Sequence, residues 1–323
     1  MVLIISEESD ITTTEVIKWL LYYKYPKEKI IRINDNSLIN IEKIIIGNIK
    51  NDLIISVDTN NTKLKLNLNN IKSVWYRRGK LNLIQTKSGN AQLDKSLSSE
   101  LFSLERYINN IIDNSEIRIG RYRENFLNKL DCLKAAKEVG LKIPETLITC
   151  KKKFLNKGLL TTKAIKDVVR LPINNNQTLA LGTILLDKNF IQKSPTSFFP
   201  TLFQSYIEKD YELRIFFVFQ KCFPMAIFSQ SNEQTKIDFR NYDRNLPNRT
   251  VPYVLPNVIK SQILRLITKL GLTSGSIDMI VTPKKEYVFL EVNPIGQFAQ
   301  VSKPCNYYLE REIARLLISY KEN

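Results

Sequence analysis

The sequence predicts α/β and α+β domains in series. Short apolar runs alternate with amphipathic helical stretches in the first part of the chain, and strands dominate from about residue 145 onward. The length of 323 residues suggests about two domains.

Val2 to Ile5, Ile30 to Ile33, Leu53 to Val57 and Val74 to Tyr76 are apolar runs of strand length. Thr12 and Glu15 have the spacing of a capping box, and Val16, Ile17, Leu20 and Leu21 give the helix after them one apolar face. Leu93, Leu97, Leu101, Leu104, Ile108 and Ile111 recur at steps of three and four, so a long amphipathic helix closes the first domain. A second helix carries Leu127, Leu130, Leu133 and Val139. Gly140 supplies its C-cap and Pro144 prevents continuation. Glu212 to Phe219 alternates around an apolar face, and Phe223 to Ser229 can pair with it as a hairpin. Ile259, Ile263, Leu266, Ile267 and Leu270 form a late helix ended by Gly271. Ser276 to Val281 and Tyr287 to Val292 are strands joined by the turn at Pro283-Lys284-Lys285. A terminal helix from about Asn306 turns Leu309, Ile313, Leu316 and Leu317 inward.

Composition narrows the chemistry. Hydrophobic content of 43% and charged content of 25% are ordinary for a soluble globular protein. No run of about 18 apolar residues occurs, and the start MVLIISEESD has no basic region before its apolar run. A cytoplasmic protein without signal peptide is expected. The four cysteines, Cys132, Cys150, Cys222 and Cys305, form no CxxC, and there is no histidine. That excludes a conventional zinc site and any histidine-based triad or general base. Cys132 and Cys222 sit in apolar patterns and read as structural thiols. The net charge of +16, from 48 basic and 32 acidic residues, favours polyanions or acidic peptides. The basic residues are spread along the chain, so a solvated lysine-rich surface accounts for them equally well.

The most informative segment runs from Ser276 to Asn293. Asp278 lies on one strand. Glu291 and Asn293 lie on the next, two apart, so both side chains leave the same face. A strand pair can bring Asp278 beside them. One Asp, one Glu and one Asn carbonyl form an oxygen-only ligand set, which suits Mg²⁺ bridging nucleotide phosphates. Apolar neighbours, Ile277, Met279 and Ile280 and then Val288 to Leu290, would make uncompensated carboxylates costly to bury. On these residues alone, two strands with solvent-facing polar ends stay open as an alternative. Pro294-Ile295-Gly296 makes a tight exit after Asn293 and narrows it.

Asp278 followed by Glu291-Val292-Asn293-Pro294 resembles the metal-binding signature of the ATP-grasp superfamily. The upstream order is similar. Lys129 opens a helix and Lys163 follows the strand Leu159 to Thr162, and the resemblance implies that both hold ATP phosphates. Thr201 to Ile207, with Gln204, Ser205 and Tyr206 at its centre, resembles the hinge that presents backbone to adenine. Glu212-Leu213-Arg214 resembles the acid-x-Arg element, with the acid facing the ribose and the arginine a phosphate ligand. Asp238-Phe239-Arg240-Asn241 resembles a strand from which Arg and Asn reach phosphates and the activated substrate. The resemblance implies an ATP-grasp fold with an N-terminal α/β (pre-ATP-grasp) domain at 1–120, a central subdomain at 121–200 and a C-terminal subdomain with the metal site at 201–323.

Val74-Trp75-Tyr76-Arg77-Arg78, and the run from Glu291 to Phe298 continuing into Ser302 to Leu309, are similar to the graspetide synthetases that mature microviridin-type peptides, in particular the grasp-with-spasm branch. At the active site itself, Trp75 to Arg78 reads as an amphipathic strand end with two solvated arginines. Between Lys163 and Gln204 only Gly182 is a glycine, so a glycine-rich phosphate lid is not expected. A lid around Asn174-Asn175-Asn176 is.

The resemblance implies ATP and Mg²⁺ as cofactors, and a precursor peptide with leader and core as partner. It also implies a homodimer, with no nucleic acid and no membrane. The γ-phosphoryl group would pass to a side-chain carboxylate of the peptide. A Ser or Thr hydroxyl or a Lys amine would then attack the acyl phosphate. Arg214, Asp238 and Arg240 would act in catalysis, Arg240 pairing with the core carboxylate. Two other functions fit the sequence less fully. One is an ATP-grasp ligase adding free amino acids to a peptide or protein terminus. The other is a non-enzymatic nucleic-acid binder, suggested by charge, for which no recognised motif is present.

Overall fold

The computed structural model describes residues 1–59, 62–155, 158–166, 169–174, 177–241, 243 and 245–319. The chain forms two compact units, Met1–Asn125 with Tyr308–Asn323, and Phe126–Tyr307.

In the first unit β1 (Val2–Ser6) leads through α1 (Ile11–Tyr22) to β2 (Ile30–Asn34), its parallel neighbour. β3 (Leu38–Ile45), β4 (Asp52–Thr59) and β5 (Thr62–Asn67) form an antiparallel meander. β6 (Ser73–Tyr76) returns beside β1, β7 (Asn82–Leu83) extends the meander, and α2 (Ala91–Asp113) leads to β8 (Ile117–Ile119). The parallel sheet has the order β2-β1-β6-β8. Both faces of β1 are covered, so Val2 to Ile5 are all apolar and every residue of the strand is buried.

Three expectations change in this unit. The helix cap is Asp10, not Thr12. Asp10 accepts the Thr13 amide at 3.1 Å and the Thr12 hydroxyl, while pairing with Arg77. A carboxylate is the stronger acceptor, so Thr12 falls inside the helix. Arg77 is not solvated: it is 3% exposed, and its Nε lies 3.1 Å from Asp10. In α2 only Ile108 and Ile112 are buried, whereas Leu93 and Leu104 are 49% and 36% exposed, so the stripe meets the core only in its last turns.

In the second unit α3 (Lys129–Glu138) begins at an Asn128 cap whose side chain accepts the Leu130 amide. β9 (Thr146–Lys151), β10 (Leu160–Thr162), β13 (Ile184–Leu186) and β14 (Ser197–Ser205) make a four-stranded sheet of order β13-β10-β14-β9. β11 (Val169–Asn174) and β12 (Gln177–Leu181) form a separate hairpin, and α4 (Lys188–Lys193) precedes β14. The expected lid lies largely outside the described residues, since 175 and 176 are not among them.

β15 (Tyr211–Val218), β16 (Lys221–Phe228), β17 (Arg249–Pro252), β18 (Ser274–Val281) and β19 (Tyr287–Asn293) form an antiparallel sheet of order β17-β16-β15-β18-β19. α3 and α5 (Asn257–Leu270) cover its apolar face through Cys132, Leu133, Ile263, Leu266 and Ile267 against Leu213, Ile215, Ile277 and Phe289. Gly271 ends α5 in the left-handed region, as expected. The expected terminal helix forms as α7 (Leu309–Leu317), and a short helix not read from the sequence, α6 (Ala299–Cys305), precedes it. α6 stops at Asn306 and α7 starts after Tyr308; of the three residues between the helices, Asn306 and Tyr308 adopt positive φ, 54° and 52°. α7 clusters with the first unit. Among the described residues no helix is long and apolar enough to cross a membrane.

Candidate active site

The five-stranded sheet sets charged residues of three strands in one row. Arg214 on β15 is the register partner of Asp278 on β18, and Asp278 is the partner of Glu291 on β19. A bulge between Asp278 and Met279 leaves Leu290 without a partner on β18 and re-aims Glu291. The exit from β19 is held by close backbone approach. A Cβ on Gly275 would lie 2.9 Å from the Asn293 carbonyl, and one on Gly296, at φ +39°, 2.8 Å from the Gly275 carbonyl carbon. The tight turn expected at Pro294-Ile295-Gly296 therefore depends on two glycines.

Arg214 is buried, 6% exposed, and its Nη1 donates to both Asp278 oxygens at 2.9 and 3.1 Å. Its Nε has no hydrogen-bond partner among the described residues. Glu291 receives Lys163 at 3.0 Å, Lys129 at 3.6 Å and Arg240 at 3.4 Å. Burial pushes the Glu291 carboxyl up, but Lys163, Lys129 and Arg240 outweigh it and hold the pKa down at about 2. Asp278 shifts the other way. Burial raises it, Arg214 opposes, and neighbouring Glu291 adds to the rise.

Arg240 donates to Asp238 twice, from Nε and Nη2, each at 2.8 Å. Burial pushes Asp238 up, yet the Arg240 hydrogen bonds and charge hold it below the usual carboxylate range. The Asp238-bonded guanidinium is raised in turn. The segment expected here as a strand is a turn. Asp238 accepts the Arg240 amide through its side chain and the Asn241 amide through its carbonyl, so local bonds replace a ladder. Gly182 lies against this carboxylate, and the Thr183 amide donates to it at 3.5 Å.

Asp278, Glu291, Lys163, Asp238 and Arg240 line a cleft, open to solvent, between the four-stranded and five-stranded sheets. Its walls include Lys163, Gln204, Tyr206, Glu212, Arg240 and Glu291.

No protein-family model matches the sequence, and no curated protein matches it. Solved structures do. The macrocyclase MdnC of Microcystis aeruginosa MRC, bound with precursor peptide MdnA, superposes with a TM-score of 0.75 and is 25% identical, over 99% of this chain and 100% of that one. A Chryseobacterium gregarium RiPP-associated ATP-grasp ligase, in complex with ADP and a leader and core peptide, gives 0.78 at 24% identity over 100% and 97%. The ATP-grasp ligase PsnB, complexed with minimal precursor, Mg and ADP, gives 0.67 at 13% over 98% and 96%. The chain has the ATP-grasp ligase fold.

Within that ATP-grasp fold, Gln204 and Ser205 end β14, and Tyr206 begins the loop to β15. Gln204 is buried and its Nε2 donates to Thr146 at 3.1 Å. The Ser205 and Tyr206 amides donate to Glu145 and Leu159 carbonyls, each at 2.9 Å, whereas the Ile207 amide has no backbone partner among the described residues. Glu212 is buried on the cleft side of β15 and is raised by burial, with Lys209 and Ser229 opposing. Lys129 reaches Glu291 from an adjoining pocket with Lys163, Leu130 and Leu290. Asn241 and Asn293 are exposed at the margin, and Asn293 Oδ1 accepts the Ile295 amide at 3.2 Å.

Sequence reasoning missed Lys209. It sits in the charged run Glu208-Lys209-Asp210, which reads as a solvated turn, yet it is 6% exposed. The thiols take no part here. Cys132 is buried and pushed up to about 12, Cys222 to about 11.

Among the described residues no three His, Cys, Asp or Glu cluster as a metal site. Asp278, Glu291 and the Asn293 amide oxygen are a sparse, oxygen-only set. That fits an ion that keeps waters and phosphate oxygens in its shell.

Proposed function

We propose that the protein is an ATP-dependent ligase that forms side-chain ester or amide cross-links in a ribosomally made precursor peptide. The observation that carries the reading is the convergence of Lys129, Lys163 and Arg240 on Glu291, beside Asp278, within a cleft of an ATP-grasp fold. Three cations around one carboxylate are more than one charge needs. The surplus suits a triphosphate, and the carboxylates suit its Mg²⁺.

In this reading Asp278, Glu291 and Asn293 hold Mg²⁺, which when bound neutralises charge on the phosphates. Lys129, Lys163 and Arg214 donate to phosphate oxygens. The hinge backbone from Gln204 to Ile207 faces adenine, and Glu212 faces the ribose. Asp238 and Asn241 hold the turn that carries Arg240. Arg240 keeps a peptide carboxylate in line for phosphorylation, and a Ser or Thr hydroxyl or Lys amine of the same peptide displaces phosphate. Positioning and charge stabilisation supply the rate, so no histidine is needed.

The substrate class rests on the structural neighbours, whose complexes hold a precursor peptide, or a leader and core peptide. A cytoplasmic homodimer that binds no nucleic acid completes the reading. ADP release in the presence of Mg²⁺ should depend on a peptide carrying both leader and core, and should fall sharply with core alone. ADP release that is indifferent to peptide would reject the substrate class.

A further inference from the structure

Glu212 carries an asymmetric set of bonds. Its Oε1 accepts the Lys209 ammonium and also the Ser229 hydroxyl at 2.8 Å. Its Oε2 accepts no hydrogen bond among the described residues, although the residue lines the cleft. Lys209 is itself fixed, because Nζ also donates to the Ile237 carbonyl at 3.2 Å. Ser229 is fully buried at the end of the neighbouring strand. A buried carboxylate with both bonds on one oxygen has a defined orientation, and its other oxygen becomes a fixed acceptor.

We propose that Lys209 is a positioning residue for nucleotide recognition: with Ser229 it immobilises Oε1 of Glu212, so that Oε2 selects a ligand carrying a free ribose hydroxyl. This rests on the reading of the cleft as an ATP site. Removal of Lys209 would leave Glu212 buried beside Asp278 without its cation. The carboxyl would then turn or take up a proton, and the fixed acceptor would be lost. A site built to bond a hydroxyl discriminates against an analogue lacking it, because a buried polar group is left unpaired.

Calorimetric titration of the full chain with ATP, 2′-deoxy-ATP and 3′-deoxy-ATP, in the presence of Mg²⁺, separates the possibilities. The unsubstituted protein should favour ATP at least tenfold over one of the deoxy analogues. Lys209→Met should bind ATP about tenfold more weakly and prefer it less than twofold. Lys209→Arg should recover most of the preference. In turnover, Lys209→Met should raise KM for ATP far more than it lowers kcat. Ser229→Ala, which deletes one atom and leaves the ion pair, should reduce the preference severalfold and tests the same arrangement if Lys209→Met fails to fold. An unchanged ATP preference in Lys209→Met or Ser229→Ala overturns the proposal. So does an equal loss for all three nucleotides, which would mean that Lys209 touches a part common to them. Absence of ATP binding to the unsubstituted protein overturns the ATP reading as well, and no variant result can imitate that outcome.

Discussion

Glu291 stands directly across from Asp278 on neighbouring strands, yet the two carboxyls are driven in opposite directions, Glu291 down to about 2 and Asp278 upward. The difference comes from their partners. Asp278 shares one arginine beneath the cleft, while Glu291 collects two lysines and Arg240 at its surface. Environments that separate two adjacent carboxyls are a mark of a working site.

Glu291 occupies the cations that a triphosphate would need. Glu291→Ala should remain folded and lose Mg²⁺-dependent ADP formation. Its affinity for ATP without Mg²⁺ should equal or exceed that of the unsubstituted protein, because Lys163 is released. Calorimetry with and without the metal checks both. Full Mg²⁺-dependent turnover in the variant would rule out the proposed metal role of Glu291.

Lys163 projects from the end of β10 to 3.0 Å from Glu291. Lys163→Ala should weaken binding of a non-hydrolysable ATP analogue by roughly 1–3 kcal/mol, the scale of a charge-assisted hydrogen bond. Unchanged affinity would reject a phosphate role.

The Arg214–Asp278 pair is buried on both sides. Asp278→Ala leaves the guanidinium without its counter-charge and should cost about 3–5 kcal/mol in urea unfolding. The double variant Arg214→Met with Asp278→Ala should recover part of that loss. Equal stabilities of Asp278→Ala and the unsubstituted protein would show that the pair carries no structural charge.

Glu124, in the first unit, is raised by burial to about 8, with Asp113 adding to the rise. A carboxyl with a raised native pKa binds its proton more tightly when folded. Its contribution is complete below its unfolded value and is lost as pH rises through about 8. Glu124→Gln should therefore flatten the fall in stability between about pH 4.5 and 8, where one such group contributes up to about 1.4 kcal/mol per pH unit. Unfolding curves of the two proteins that run parallel across that window would contradict this.

Legibility in the sequence followed the physics of each element. The β15–β16 and β18–β19 hairpins were readable because one face must be apolar, and the period of two then also placed Arg214, Asp278 and Glu291 on the other face. The Asp238 turn was misread as a strand, since its backbone is held by side-chain bonds that leave no period. β3 was missed because it lies half exposed and is interrupted by a bulge at Ile41/Lys43. The division between α6 and α7 depends on left-handed Asn306 and Tyr308, and nothing local in those residue types demands it. Lys209 was hidden because a lysine among charged neighbours reads as solvent-facing, and only the fold shows it buried on Glu212.

The central claim is cross-linking, and the mass of the peptide tests it most directly. The protein, ATP, Mg²⁺ and its own precursor peptide should yield a product lighter by one water for each link, with ADP formed in equal number. Mild alkaline hydrolysis should restore the mass of an ester and leave an amide unchanged. A product heavier by an added amino acid would contradict cross-linking and put an amino-acid ligase in its place.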